Sequence, residues 1–129
     1  MLTRFFLVVF LGLLCEGAVF AYSYRDLLGL RSSGAPATPA EQTAFVERAE
    51  HALSRRKVTR EHLEIIAARA QTLGNRQLEL RALDACAQLD PDDVQLALRR
   101  ADASRRAGDL RRAEELYGEV LRRTSRRTQ

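Results

Sequence analysis

The sequence predicts an all-α protein, a short helix-turn-helix solenoid of about five helices with a 34-residue repeat behind an N-terminal hydrophobic segment. Three observations carry this prediction. Apolar residues recur at helical spacing through residues 39–127, and no stretch keeps up a period-two alternation. Two glycines that stop helices, Gly74 and Gly108, are separated by one repeat length. The chain's uninterrupted apolar run, Phe5 to Leu14, follows directly on Arg4. A composition with 7 Gly and 3 Pro in 129 residues excludes collagen-like and disordered classes, and 2 Cys exclude a disulfide-stapled scaffold.

Residues 1–24 read as a targeting or anchoring segment. A basic flank and a short apolar core match a secretory signal, with small residues placing cleavage after Ala21, or second after Ser23. The rival is an uncleaved anchor, since residues 5–24 would span about 30 Å as a helix. Glu16 opposes that reading, because a central carboxylate costs about 2.5–3.5 kcal/mol on insertion scales. Either way, the rest of the chain is expected outside the cytosol, periplasmic or anchored in the inner membrane and facing the periplasm. Cys15 belongs to this segment.

Residues 25–38 read as a linker, broken by Gly34 and Pro36. The helical domain is expected over 39–127, as a half repeat 39–57 and two repeats, 60–93 and 94–127. Thr38 and Glu41 form a capping-box signature around Pro39, and Phe45, Val46, Ala49, Ala52 and Leu53 give the first apolar face. Thr59 caps the second helix, faced by Leu63, Ile66, Ala67, Ala70 and Leu73. The third carries Leu80, Leu83, Cys86 and Ala87. Asp90 to Asp93 read as a start signal, with a capping carboxylate, Pro91 in the first turn and acids suited to the helix dipole. Val94, Ala97, Leu98, Ala101 and Ser104 follow. A fifth helix carries Leu110, Ala113, Leu116, Tyr117, Val120 and Leu121, and frays over 122–127.

Shifting the chain by 34 places Ala67 on Ala101, Leu83 on Tyr117, Cys86 on Val120 and Ala87 on Leu121. With Gly108, Ala113 and Tyr117 in the last unit, and Gly74, Ala87 and Pro91 in the one before, the sequence resembles the tetratricopeptide repeat family. The match covers about residues 60–127. It departs at Glu79, where the family has a small residue at the helix crossing, at Leu63 and Ala97 early in the first helix of each unit, and at Lys57.

The resemblance implies that the first helix of each unit lines a concave, partner-binding groove. By position its residues are Glu61, Glu64, Ala68 and Gln71, then Gln95, Leu98, Asp102 and Arg105. Glu64 and Ala68 do not suit the subset of the family that grips C-terminal carboxylates. The implied function is a non-catalytic protein-protein interaction scaffold, serving envelope assembly, secretion or exopolysaccharide export. Such stacks normally end in a polar cap. Here Leu116 and Val120 are expected to remain partly exposed, so self-association through the last helix, or capping by a partner, is open.

Charge supplies the alternative. Residues 39–93 carry 8 basic and 10 acidic side chains, whereas residues 94–129 carry 10 and 5. An Arg-rich end with Arg122, Arg123, Arg126 and Arg127 could bind anionic polysaccharide or lipid. Nucleic acid is not expected, since no aromatic residue interleaves the basic cluster. The bland counterpart is a set of i,i+4 pairs on outer faces, Arg111 with Glu115 and Glu119 with Arg123. His51 and His62 lie on different helices with no second ligand at i+4, so no metal is expected. Cys86 reads as a small core residue. Glu61 and Glu64 share a face, but neighbouring helix carboxylates are usually solvated. Neither an enzyme nor a cofactor is expected.

Overall fold

The computed structural model describes residue 36, residues 38–55 and residues 58–127, with side chains to residue 126. The targeting segment and nearly all of the linker lie outside the described residues. The described residues form five α-helices and no strand: α1 (Pro39–Leu53), α2 (Arg60–Thr72), α3 (Arg76–Leu89), α4 (Val94–Arg106) and α5 (Leu110–Arg127).

Short-range chemistry sets the helix ends. Thr38 and Glu41 make the expected capping box. The Thr59 hydroxyl accepts from the His62 amide, and Asp93, its equivalent one repeat later, accepts from the Leu96 amide at 3.1 Å. Asn75 and Asp109, another equivalent pair, cap α3 and α5 at 3.1 Å. The two turns are equally alike. The Gly74 amide donates to the Gln71 carbonyl and the Asn75 amide to Ala70, while Gly108 donates to Arg105 and Asp109 to Ser104. Both are Schellman turns with a left-handed glycine, φ +71° and +83°. A Cβ at Gly108 would meet nothing within 4 Å, so only backbone strain opposes a side chain there. Gly108→Ala is expected to cost about 1–2 kcal/mol in a denaturant melt.

Two boundaries differ from expectation. α4 starts at Val94 with Asp93 as its cap, so Pro91 lies in the preceding turn and the first helical turn holds no acid. α5 continues through Arg127 instead of fraying. Its last turns are tied to the rest of the domain by Arg123, which reaches the carbonyl of Pro91, while Thr124 and Ser125 bond back to the Val120 and Leu121 carbonyls.

Packing is most extensive within the pairs α2–α3 and α4–α5, with α3 against α4 next. The core joins Phe45, Ala49 and Ala52 of α1 to Leu63, Ile66, Ala67 and Ala70 of α2, Leu78, Ala82, Leu83 and Cys86 of α3, and Leu96 and Ala103 of α4. The Arg69 guanidinium lies 5.8 Å from the centre of the Phe45 ring. Leu78, Ala82, Leu96 and Ala103 were not among the expected core positions, whereas Leu98, Leu110 and Leu121 of the expected stripes are exposed. α4 meets α3 on one side and α5 on the other, so its buried arc is wider than a single stripe and is centred away from Leu98. Leu116, expected to be exposed, is buried. Alanines at 97, 101 and 113 bury with it and let α4 and α5 approach closely.

One buried polar atom stands out. The Ser104 side-chain oxygen is fully buried and makes no hydrogen bond, at the position where the first pair has the buried Ala70. Ser104→Ala is expected to raise stability by about 1 kcal/mol in the same melt, because an unpaired buried hydroxyl is lost.

Candidate functional site

The eight expected groove residues fall on α2 and α4. At the spacing 61, 64, 68, 71 and 95, 98, 102, 105, each set keeps to one helix face. Glu61, Ala68, Gln71, Gln95, Leu98 and Arg105 are exposed, and Glu64 and Asp102 are half-buried. The starts of the two helices are tied together. Arg60 reaches Glu64 (3.1 Å), Asp90 (2.6 Å) and Asp93, and Arg99 lies 3.9 Å from Glu64. Glu64 therefore sits between two guanidinium groups, whereas Glu61, which shares its face, is exposed.

The Asp93 carboxyl titrates below its ordinary value. The Leu96 amide that donates to it is the larger cause, and the Arg60 guanidinium adds to it. A carboxyl depressed in the folded state stabilises above its unfolded pKa of about 3.9 and loses that contribution as pH falls through the folded value. Melting temperature is thus expected to drop below about pH 4. Asp93→Asn, which keeps a capping oxygen but no charge, should flatten that acid limb in circular dichroism melts.

At the other end of the groove, the Tyr117 hydroxyl of α5 donates to Asp102 and also contacts Arg105. The hydrogen bond to Asp102 raises the phenol's pKa. Tyr117 thus joins Asp102 and Arg105 in one polar cluster. The sequence marks Tyr117 as an apolar face position, and nothing local shows that its hydroxyl crosses to α4.

The basic region divides in two. The i,i+4 pairs Arg111–Glu115 and Glu119–Arg123 form, at 3.4 and 2.5 Å. The outer-face reading nevertheless fails for Arg100, Arg106 and Arg112, which cross to α3. Arg100 and Arg112 converge on Asp84 at 2.9 and 2.6 Å, and Arg106 meets Glu79 at 2.5 Å. Glu79, the departure at the helix crossing, is buried with only 4% of its side chain exposed. Of the four arginines of the basic end, Arg123 is engaged by Glu119 and by the Pro91 carbonyl. Arg122 and Arg126 are exposed and make no ion pair among the described residues. The side chain of Arg127 lies outside them. Arg122, Arg123 and Arg126 share a cleft of about 570 Å³ with Asp92, Val94 and Glu119.

Cys86 is buried, and desolvation pushes its thiol up to about 11. His51 is exposed and His62 half-buried against Thr59. Among the described residues no group of His, Cys, Asp and Glu is placed to hold a metal ion, and no helix is long and apolar enough to cross a membrane. No model of a known protein family, curated protein or solved structure matches the chain.

Proposed function

We propose that residues 39–127 form a tetratricopeptide-type scaffold that binds a protein or peptide partner without catalysis, on a chain exported or tethered at the membrane by residues 1–24. The observation that carries this reading is the recurrence of the caps and Schellman turns at one fixed interval, Thr59 with Asp93 and Gly74 with Gly108. Repeated helix pairs stack side by side and leave a continuous face of first helices, the arrangement by which such arrays engage partners. Here that face is made of the small Ala68, the polar Gln71 and Gln95 and the exposed apolar Leu98, flanked by the Asp102–Tyr117 cluster. It suits side-chain recognition better than bond making. Envelope assembly, secretion or exopolysaccharide export are settings in which an exported scaffold of this size would serve.

The test is site-specific photocrosslinking of the full chain in its native host. A crosslinker at Gln71 or Leu98 should give a discrete adduct, and one at Arg111, on the exposed side of α5, should not. Adducts of equal yield at all three positions, or at none, reject the scaffold reading. The mass of the mature chain answers the separate question of tethering, because a chain starting at Tyr22 has no spanning segment.

A second reading is favoured by the cleft of Arg122, Arg123 and Arg126. In it the chain binds anionic polysaccharide or lipid through its basic end. Asp92 and Glu119 line the same cleft, and Glu119 is taken up by Arg123, so the charge there is mixed with the basic side in excess. Sedimentation of the chain with phosphatidylglycerol vesicles, lost on removing residues 122–129, would support it.

A further inference from the structure

The last helix offers a face that its counterpart keeps covered. In α3, Leu83 and Cys86 are buried, 2% and 0% exposed. Their equivalents in the next repeat, Tyr117 and Val120, are half-exposed, and the equivalent of the half-buried Ala87 is Leu121, 66% exposed. The difference is α4, which packs on α3, whereas no described helix follows α5. The exposed face extends onto α4. The short turn 107–109 reverses the chain, and Tyr117 lies opposite Asp102. One turn from that contact, in the same direction along both helices, Leu98 of α4 comes level with Leu121 of α5. A shallow groove of about 380 Å³, lined by Leu121, Arg122, Ser125 and Arg126, continues from there.

Charge decides what fits. α3 meets α4 with acids, Glu79 and Asp84, which receive Arg106 and Arg100. At the equivalent positions α5 has Ala113 and Gly118, and where α3 and its following turn have Gln88 and Asp92 it has Arg122 and Arg126. The interface pattern is inverted. A second copy presenting an arginine-bearing helix such as α4 would find no carboxylates at these positions and two unpaired arginines. Of the acids on α5, Glu115 and Glu119 are already paired, and Glu114 near the helix start is the exception.

We propose that the Leu98–Tyr117–Leu121 face docks an amphipathic helix of another protein, with leucine-like residues one turn apart and acidic side chains set to meet Arg122 and Arg126. This deepens the scaffold reading and rests on it, but it assigns the contact to the open side of the second helix pair.

The probe is a pair of fluorescein-labelled helical peptides, each about five turns long, with the same leucine stripe, flanked by Glu in one and by Lys in the other. Both are titrated against the full chain by fluorescence anisotropy. The Glu peptide is expected to bind at least about tenfold more tightly, a difference of about 1.4 kcal/mol. Arg122→Glu with Arg126→Glu should remove the preference. Leu121→Lys is the decisive variant: it adds positive charge, so simple electrostatic attraction would strengthen binding, whereas docking predicts a loss of tenfold or more. Equal affinity for the two peptides, or tighter binding by the Leu121→Lys chain, overturns the proposal. So does displacement of the Glu peptide by phosphatidylglycerol vesicles, which makes the face a lipid site. An adduct of twice the chain mass from a photocrosslinker at position 121 also overturns it, because the occupant is then a second copy. Adducts from Gln71 with none from 121 leave the scaffold reading standing and reject this one.

Discussion

Arg106→Ala is expected to destabilise the helical domain by about 2–3 kcal/mol, and Glu79 is the reason. The Glu79 side chain is 4% exposed, while Arg106 is 35% exposed and closes over it at 2.5 Å. Removing the guanidinium leaves a carboxylate buried at the α3–α4 crossing with no counter-charge. Breaking a fully buried pair costs about 3–5 kcal/mol, and the lower figure applies because water already reaches Arg106 and would enter behind it. In a domain of this size the change corresponds to a fall in melting temperature of about 10–20 °C. Replacing both partners, Glu79→Leu with Arg106→Met, should recover most of the loss, since no charge then remains to desolvate. The double-mutant cycle, read from urea melts, separates the pair from the packing of its stems. Additive single effects would show that the two side chains do not act together.

Ile66→Ala is expected to cost about 3–4 kcal/mol, within the range for emptying a buried aliphatic site. Ile66 is 0% exposed in the core shared by α1, α2, α3 and α4. Much of the surrounding core is alanine, at 49, 52, 67, 70 and 82, so few neighbours are long enough to collapse into the space. The effect should exceed its local size, because a stack of two helix pairs and one extra helix stands on its interfaces. A chain this short buries only about 60–65% of its unfolded surface, which leaves little reserve. Leu121→Ala is the control. Leu121 is 66% exposed, so the change should leave the urea midpoint almost unmoved while weakening the docking of the acidic peptide.

The two cases mark where sequence reasoning holds and where it stops. Helix starts at Thr38 and Thr59 and stops at Gly74 and Gly108 were legible because each is closed by hydrogen bonds within about five residues, so the signal and its cause lie in the same short segment, whereas the start over 90–93 was read with Pro91 inside the helix and lies at Asp93. The repeat interval follows from those signals alone. Apolar faces were legible in outline and misjudged in detail. Leu98 and Leu121 have the right spacing for a core but face away from it, while Leu96 and Leu116 are buried. Helical periodicity gives a stripe, and its width and centre depend on how many neighbours press on the helix.

The charged residues show the limit most clearly. Two i,i+4 pairs on α5 were readable from spacing. Arg60 with Asp90 and Asp93, Arg100 and Arg112 with Asp84, and Arg106 with Glu79 join positions far apart in the chain, and no local rule pairs them. The Asp102–Tyr117 contact, which brings one helix of the expected groove to the open face, is of the same kind. By itself the sequence determined the number of helices, most of their starts and their repeat, because those follow from backbone capping and from periodicity along one chain segment. Only the tertiary structure decided which charges are neutralised, which leucines are covered and which arginines remain unpaired, because each of those outcomes requires a second helix to supply the partner.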